Sequence, residues 1–429
     1  MQTHFSPAQL SDPKIQEAND ILRKCVHCGF CTATCPTFVE TGDERDSPRG
    51  RIWLMRELLE SPQTVSKDTR HHLDRCLGCQ SCMTTCPSGV DYIHLLDIGR
   101  EKMDVIAPRS LADKLMRRML GMIIPHAGRF HMMMRFAVLG RIFAPLMPRQ
   151  LQAALSKLPQ SLPKLDAIGS QNKVFPANKP QPVKRVVLLA GCAQRALDPA
   201  INQSTIRVLN RLGIEVVVRA EAHCCGALTQ HIGETESAVK SIRQAIDAWD
   251  AEINGKGVDA IIANASGCGT MVKDYGHVMA DDPGYAAKAK HISALCKDVA
   301  EIIGDIGIDD IIQPIDDGAR PVIAYHSACS LQHGQKIHDL PQELLRRAGF
   351  DVRKPVNGHL CCGSAGVYNI LQPDMADNLK ARKKDSLVKT GADFVAAGNI
   401  GCIAQLDDSA LPVRHTVQFI DWASGGPKP

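Results

Sequence analysis

Two cysteine runs with the same internal spacing dominate the chemistry available to this sequence. Cys25, Cys28, Cys31 and Cys35 form a Cys-x2-Cys-x2-Cys-x3-Cys-Pro run closed by Pro36, and Cys76, Cys79, Cys82 and Cys86 repeat it up to Pro87. Three thiolates spaced this way wrap one corner of a cubic iron-sulfur cluster, while the fourth lies too far along the chain to close the same cluster and reaches the neighbouring one. The spacing therefore predicts two [4Fe-4S] clusters with crossed ligation. Cys25, Cys28, Cys31 and Cys86 fall to the first, and Cys76, Cys79, Cys82 and Cys35 to the second. Structural zinc takes four thiolates from paired Cys-x2-Cys knuckles and has no use for the triple spacing or the Cys-Pro ending. Gly29, Phe30, Thr32 and Ala33 offer a small or apolar surround and backbone N–H groups. His27 and Trp53 read as packing residues rather than ligands.

A second set of cysteines recurs at long range. Cys192, Cys224 and Cys225 reappear as Cys329, Cys361 and Cys362, each displaced by 137 residues, and Gly267-Cys268 reappears as Gly401-Cys402, displaced by 134. The shared offset identifies a tandem duplication. Adjacent cysteines bridge to each other only with strain, but both can face one metal centre if the following Gly226 or Gly363 lets the backbone fold close. Cys192, Cys224, Cys225 and Cys268 are thus candidate ligands in the first copy, and Cys329, Cys361, Cys362 and Cys402 in the second. Each set could carry an additional cluster or metal. The alternative is packed, unmetallated thiols. Cys296 has no counterpart and reads as a core thiol.

The elements that must position these residues fall into two textures. Asp12 before Pro13 and Ser47 before Pro48 are cap signals for helices running into and between the two cysteine runs, so residues 1–104 read as a small helical domain. Residues 158–185 contain five prolines and no sustained periodicity, the composition of a linker. Beyond it, short β-branched runs at Val186–Ala190, Ala260–Ala263, Val322–Ala324 and Phe394–Ala397 alternate with helical patterns such as INQSTIRVLNRLG and PQELLRRAG, which predicts parallel sheets whose strand ends deliver the cysteines. The expected division is 1–104, 105–185, 186–312 and 313–429, a multidomain α + α/β chain.

Composition narrows the function. The chain has 429 residues, 44% of them apolar, and 17 cysteines, an odd number too clustered for core filling. No apolar run approaches the ~18 residues of a membrane span and the opening MQTHFSPAQLSDPK carries no targeting pattern, so a reducing cytoplasmic setting is expected. The net charge of +4 conceals a basic segment, with 14 Lys/Arg against Asp113 and Asp166 over residues 105–185. There LADKLMRRMLGMII sets Leu111, Leu115, Met116, Met119, Leu120 and Ile123 on one stripe with Lys114, Arg117 and Arg118 opposite, followed by RFHMMMRFAVLGRIFAPLMP. A basic amphipathic helix rich in methionine suits a membrane surface or a greasy partner groove, the alternative being a helix pair packed on its own protein. No dinucleotide fingerprint or catalytic triad is present, no catalytic residue is assigned, and no nucleic-acid partner is expected. The sequence reads as wiring.

Taken together, ILRKCVHCGFCTATCPTF, SPRGRIWL, HLDRCLGCQSCMTTCPSGVDYIHLLDIGR, HCCGAL, ASGCG, LQHGQK, HLCCGSAGVYN and NIGC resemble the iron-sulfur subunits of bacterial glycolate oxidase (glycolate dehydrogenase). The resemblance covers nearly the whole chain. It implies an α-helical dicluster ferredoxin-type domain followed by two cysteine-rich (Cys-Cys-Gly) α/β domains. It also implies partners, two FAD-type subunits that oxidise glycolate to glyoxylate, with electrons passing through this chain to the membrane quinone pool and a location peripheral to the inner membrane. Related iron-sulfur subunits of D-lactate or glycerol 3-phosphate dehydrogenases, and heterodisulfide-reductase-like thiol/disulfide reductases, are the alternatives. Met271 and Gln405 stand where the fuller pattern has a last cysteine, which argues against the five-thiolate clusters of heterodisulfide reductases.

Overall fold

The computed structural model describes residues 1–66, 68–140, 162–313 and 320–429, together with residues 146, 152 and 155. Residues 141–145, 147 and 148 of the Met-rich stretch and the first residues of the predicted linker lie outside these. The chain condenses into two compact units, one made of Met1–Met116 with His359–Lys383, the other of Arg117–Gly358 with Lys384–Pro429.

The first unit is helical. Helix α1 (Pro13–Lys24) starts where Asp12 accepts a hydrogen bond from the Lys14 N–H, and α2 (Pro48–Glu60) where Ser47 accepts from Gly50. In both, the cap satisfies an otherwise orphaned N–H and proline fills the first turn, as the sequence predicts. Helix α3 (Tyr92–Ile106) follows the second cysteine run. Leu22, Met55, Leu58, Leu73, Leu95 and Leu96 are essentially fully buried in one apolar core that Cys25 and Cys82 also enter. The cysteine loops are therefore anchored on packed helices.

Two helices carry the basic, Met-rich sequence, α4 (Leu111–Ile123) and α5 (Ala127–Leu139). The expected stripe requires correction. Arg117 is buried at 8% exposure beside Leu120 at 4%, whereas Leu111 (86%), Leu115 (68%) and Met122 (49%) face solvent. The helical period puts positions 117, 120 and 124 on one face and 111, 115, 118 and 122 on the other. Exposed Arg118 thus shares its face with the apolar residues instead of opposing them. On the covered side, the Gly121 backbone lies against Thr229 and Ile232, and His126 stacks on His223 with ring centroids 5.3 Å apart.

The second unit holds two parallel sheets. The first has the order β1-β3-β2-β4-β5, with β1 Lys173–Phe175, β2 Lys184–Leu189, β3 Ile214–Val218, β4 Ala260–Ala263 and β5 Cys296–Asp298. Strands β2 to β5 pair in parallel, with Val186 opposite both Val216 and Ala260. β1 pairs antiparallel with β3 at the edge and lies inside the predicted linker. A three-residue edge strand needs a partner on one side only, so the proline that follows it is tolerated. The second sheet, β7-β6-β8-β9, is wholly parallel, with β6 Val322–His326, β7 Asp351–Arg353, β8 Phe394–Ala397 and β9 Val413–His415. All four predicted strand runs are present, each buried on both faces as parallel strands require.

The duplicated halves of this unit are tied together by polar contacts. Helix α6 (Ala200–Arg211) presents Arg207 and Arg211 to the fully buried Asp421 of α7 (Thr416–Ala423). Near the ends of the central strands, the Ser266 and Ser330 hydroxyls lie 2.7 Å apart and the Gln335 amide donates to the Ser266 carbonyl at 3.0 Å.

Candidate metal centre

The two cysteine runs fold alike. His27 and Gly29 in the first, and Gly78 and Gln80 in the second, adopt left-handed backbone at matching positions. Each run continues into a short helix, Phe30–Ala33 or Ser81–Thr85, and the two copies meet through a hydrogen bond from the Thr85 hydroxyl to that of Thr34 at 3.2 Å. This juxtaposition delivers the last cysteine of each run to the loop of the other.

Two cavities result. The first, of about 440 Å³ including its open mouth, is lined by Cys25, Cys28, Cys31 and Cys86, with His27, Phe30, Pro48, Pro87 and Tyr92. The second, of about 320 Å³, is lined by Cys76, Cys79, Cys82 and Cys35, with Thr37, Arg51, Leu77 and Tyr92. Cys82 borders both. Each donor set, three thiols of one triple-spaced run with the last cysteine of the other, fits a polyatomic iron-sulfur cluster rather than the paired knuckles of structural zinc.

The surroundings of the two cavities differ. Arg51, 1% exposed, points its guanidinium into the wall of the second: it donates to the His72 carbonyl at 2.7 Å and the Thr37 hydroxyl at 3.1 Å, with Cys35 Sγ at 3.9 Å. Behind it, the fully buried Asp46 accepts from Arg51 at 3.4 Å and Arg75 at 2.7 Å, and pairs with His72 Nδ1 at 2.9 Å. Burial alone would raise the Asp46 carboxyl, but His72, Arg51 and Arg75 outweigh it and hold it below the usual carboxylate range. Cys35 Sγ lies 3.2 Å from the Thr37 hydroxyl, Cys76 Sγ accepts from the Gly78 N–H at 3.4 Å, and the Tyr92 hydroxyl points at it from 3.7 Å. On the rim of the first cavity Val26 and Phe30 are exposed by 68% and 63%. Burial pushes the Cys31 thiol up to about 11 and raises the Cys82 thiol as well, so binding a cation here must release protons.

Sequence reasoning missed Arg51, Asp46, His72, Arg75 and Tyr92. Four of them are scattered between the cysteine runs and Tyr92 follows the second, without periodicity; the one signal was Arg51 as an arginine inside an otherwise apolar helical face. Trp53, read as packing, is instead 45% exposed beneath the Arg56 guanidinium, because its side of α2 faces away from the core.

In the second unit, Cys192, Cys224, Cys225 and Cys268 form a line of neighbouring thiols, 192 beside 224, 224 beside 225 and 225 beside 268. The left-handed Gly226 makes the line possible: its N–H turns back to Cys224 Sγ at 3.4 Å, and a Cβ there would press on the Ala238 carbonyl at 3.1 Å. Tyr275, stacked on Trp249, donates to the Cys225 carbonyl at 2.9 Å. Met271, 6% exposed, belongs to the apolar core beside them. Cys296 is likewise a buried core thiol. Cys329 and Cys402 also lie in the second unit, Cys402 accepting from the Asn399 amide at 3.6 Å. Cys361 and Cys362 lie in the first unit, where Gly363 repeats the Gly226 geometry with its N–H 3.5 Å from Cys361 Sγ. Among the described residues no helix is long and apolar enough to cross a membrane.

Comparison with known proteins agrees with this arrangement. Residues 21–90 match the 4Fe-4S dicluster domain, and residues 186–273 and 323–407 each match the cysteine-rich domain. The chain is 39% identical over 428 residues to the glycolate oxidase iron-sulfur subunit of Escherichia coli (strain K12), covering 99% of both chains. It is 30% identical over 399 residues to the probable glycolate oxidase iron-sulfur subunit of Bacillus subtilis (strain 168), covering 90% of this chain and 88% of that one. Lactate utilization protein A of Bacillus cytotoxicus is 26% identical over 226 residues, 52% of this chain and 90% of its own length.

Proposed function

Because the chain belongs to the family of glycolate oxidase iron-sulfur subunits, we propose that it relays electrons from a flavin subunit that oxidises glycolate to glyoxylate toward the membrane quinone pool. The observation that carries this reading is the pair of neighbouring cavities, each lined by three cysteines of one run and the last cysteine of the other. In this reading Cys25, Cys28, Cys31 and Cys86 hold one [4Fe-4S] cluster and Cys76, Cys79, Cys82 and Cys35 the other. Such clusters supply one-electron acceptance and release at a potential set by charge, hydrogen bonds to sulfur and solvent access.

The protein's own residues do the rest. Cys82, bordering both cavities, keeps the two sites within a single side chain of each other. Arg51 offsets negative charge at the second site and, with the Gly78 N–H and Tyr92 hydroxyl, makes electron acceptance there more favourable. The apolar rim of Val26 and Phe30 offers a contact through which a partner subunit could exclude water from the first site. The four neighbouring thiols of the first repeat, Cys192, Cys224, Cys225 and Cys268, are assigned to a further metal or cluster, since four converging thiols are costly reactive groups to keep idle. The functional division at 104/105, 185/186 and 312/313 follows the sequence. Leu111, Leu115 and Met122 beside Lys114 and Arg118 support peripheral contact with anionic lipid, which brings the complex to quinone.

The test is reduction by substrate. The anaerobic complex with its flavin subunits should bleach its iron-sulfur absorbance on addition of glycolate. Bleaching by D-lactate or glycerol 3-phosphate and none by glycolate would transfer the chain to a sister enzyme.

A further inference from the structure

The two copies of the duplicated unit diverge just after their paired cysteines. In the first, Gly226 leads directly into the helix Ala227–His231. In the second, Ser364-Ala365-Gly366-Val367 intervenes as a turn, with Ala365 at φ 39° and Gly366 at φ 65°, and the helix begins only at Tyr368. A left-handed alanine is costly. Its carbonyl accepts from the N–H of Tyr368 at 3.1 Å, and Tyr368 occupies the position equivalent to His231 under the 137-residue repeat. Its ring is 7% exposed and packs with Met375, Ala376 and Leu379 against Leu77, the residue after Cys76. Its hydroxyl donates to the carbonyl of Arg75, the residue before Cys76, at 2.9 Å. Arg75 in turn donates to Asp46, the carboxylate that Arg51 also contacts. The same ring lies within electrostatic reach of both Cys76 and Cys361.

We infer that Tyr368 is a positioning residue that couples the Cys361–Cys362 segment to the second ferredoxin-type site, fixing the Arg75–Leu77 loop and thereby setting the redox behaviour of that site alone. The inference rests on the relay reading above and narrows it: the segment that follows Cys361 and Cys362 bears on the second site rather than the first. The Tyr368 hydroxyl compensates the negative end of the Arg75 carbonyl dipole next to Cys76. Its removal disfavours an added electron there and leaves the first site, which has its own loop, unaffected.

Potentiometric titration of the anaerobic full-length chain, followed by electron paramagnetic resonance, tests this. Tyr368→Phe keeps the ring and the packing and removes only the hydrogen bond. It should lower the midpoint of the centre that is lost in Cys79→Ser, while the centre lost in Cys28→Ser keeps its wild-type midpoint. Tyr368→Ala should shift the same centre further and broaden its signal. Two normal centres that neither variant moves, or that both variants move equally, would overturn the inference and leave the relay intact. A wild-type chain without iron-sulfur centres would overturn the relay itself.

Discussion

Replacing Arg51 by Met removes a buried cation from the wall of the second cavity. Its guanidinium lies 3.9 Å from Cys35 Sγ and 3.4 Å from Asp46. At an effective dielectric constant of about 20, a unit charge at that range from a thiolate is worth about 4 kcal/mol. Asp46 offsets part of this, leaving a net effect of about 1–3 kcal/mol on an electron added to the site, since charge spread over a cluster sits further away than one sulfur. With about 59 mV per ~1.4 kcal/mol for a one-electron couple, the midpoint of the second centre should fall by about 40–130 mV. Breaking a buried ion network also costs stability, about 3–5 kcal/mol. Arg51→Lys separates the two effects: it retains the charge, loses the forked bonds to Thr37 and the His72 carbonyl, and should shift the potential less than Arg51→Met. The assay is redox titration of the reduced signals, with thermal unfolding in parallel. A folded Arg51→Met protein with both centres at wild-type potentials, or with both displaced equally, would refute the reasoning.

Crossed ligation groups the cysteines in a definite way: Cys86→Ser should damage the same resonance as Cys28→Ser, and Cys35→Ser the same as Cys79→Ser, the reverse grouping being the contrary result. Asp298, the N-cap of the helix Val299–Ile306, is pushed up to about 7 by burial, with Glu301 adding to it. A buried carboxyl raised in this way binds its proton more tightly folded than unfolded, so stability should decline as pH rises from about 4 to 7, by about 2–4 kcal/mol, and level off above. Asp298→Asn preserves the cap acceptor and should abolish that decline, as unfolding midpoints across pH would read; His415, lowered to about 4 by burial, slopes the opposite way and is common to both proteins. Replacing Leu111 and Leu115 by Glu, or Arg118 by Glu, should release the chain from vesicles containing anionic lipid, as should high salt for the wild type. Flotation indifferent to all three would leave the helix pair a packing element.

The parts of this molecule legible in the sequence are those written in short-range patterns. Cysteine spacing gave the two loops, the 137-residue offset gave the duplication, and caps at Asp12 and Ser47 placed α1 and α2. The four β-branched runs became strands because burial on both faces leaves continuous apolar stretches. What the sequence hid depends on contacts between distant residues. Asp46, Arg51, His72 and Arg75 converge only after α2 and the second cysteine run have folded, and no periodic signal links them. Arg117 looks like a surface charge, yet the rotation of α4 buries it while Leu115 stays outside. Tyr368 lies 293 residues from its hydrogen-bond partner Arg75, beyond the reach of any local rule.

The central claim is that this chain carries two cubic clusters that exchange single electrons. Iron and acid-labile sulfide, counted per full-length chain after anaerobic purification and combined with spectroscopic titration, test it most directly. At least about eight of each, with two separately reducible centres from the ferredoxin-type cysteines, is the expected result. Four or fewer irons, or zinc in their place with no reducible centre, would contradict it.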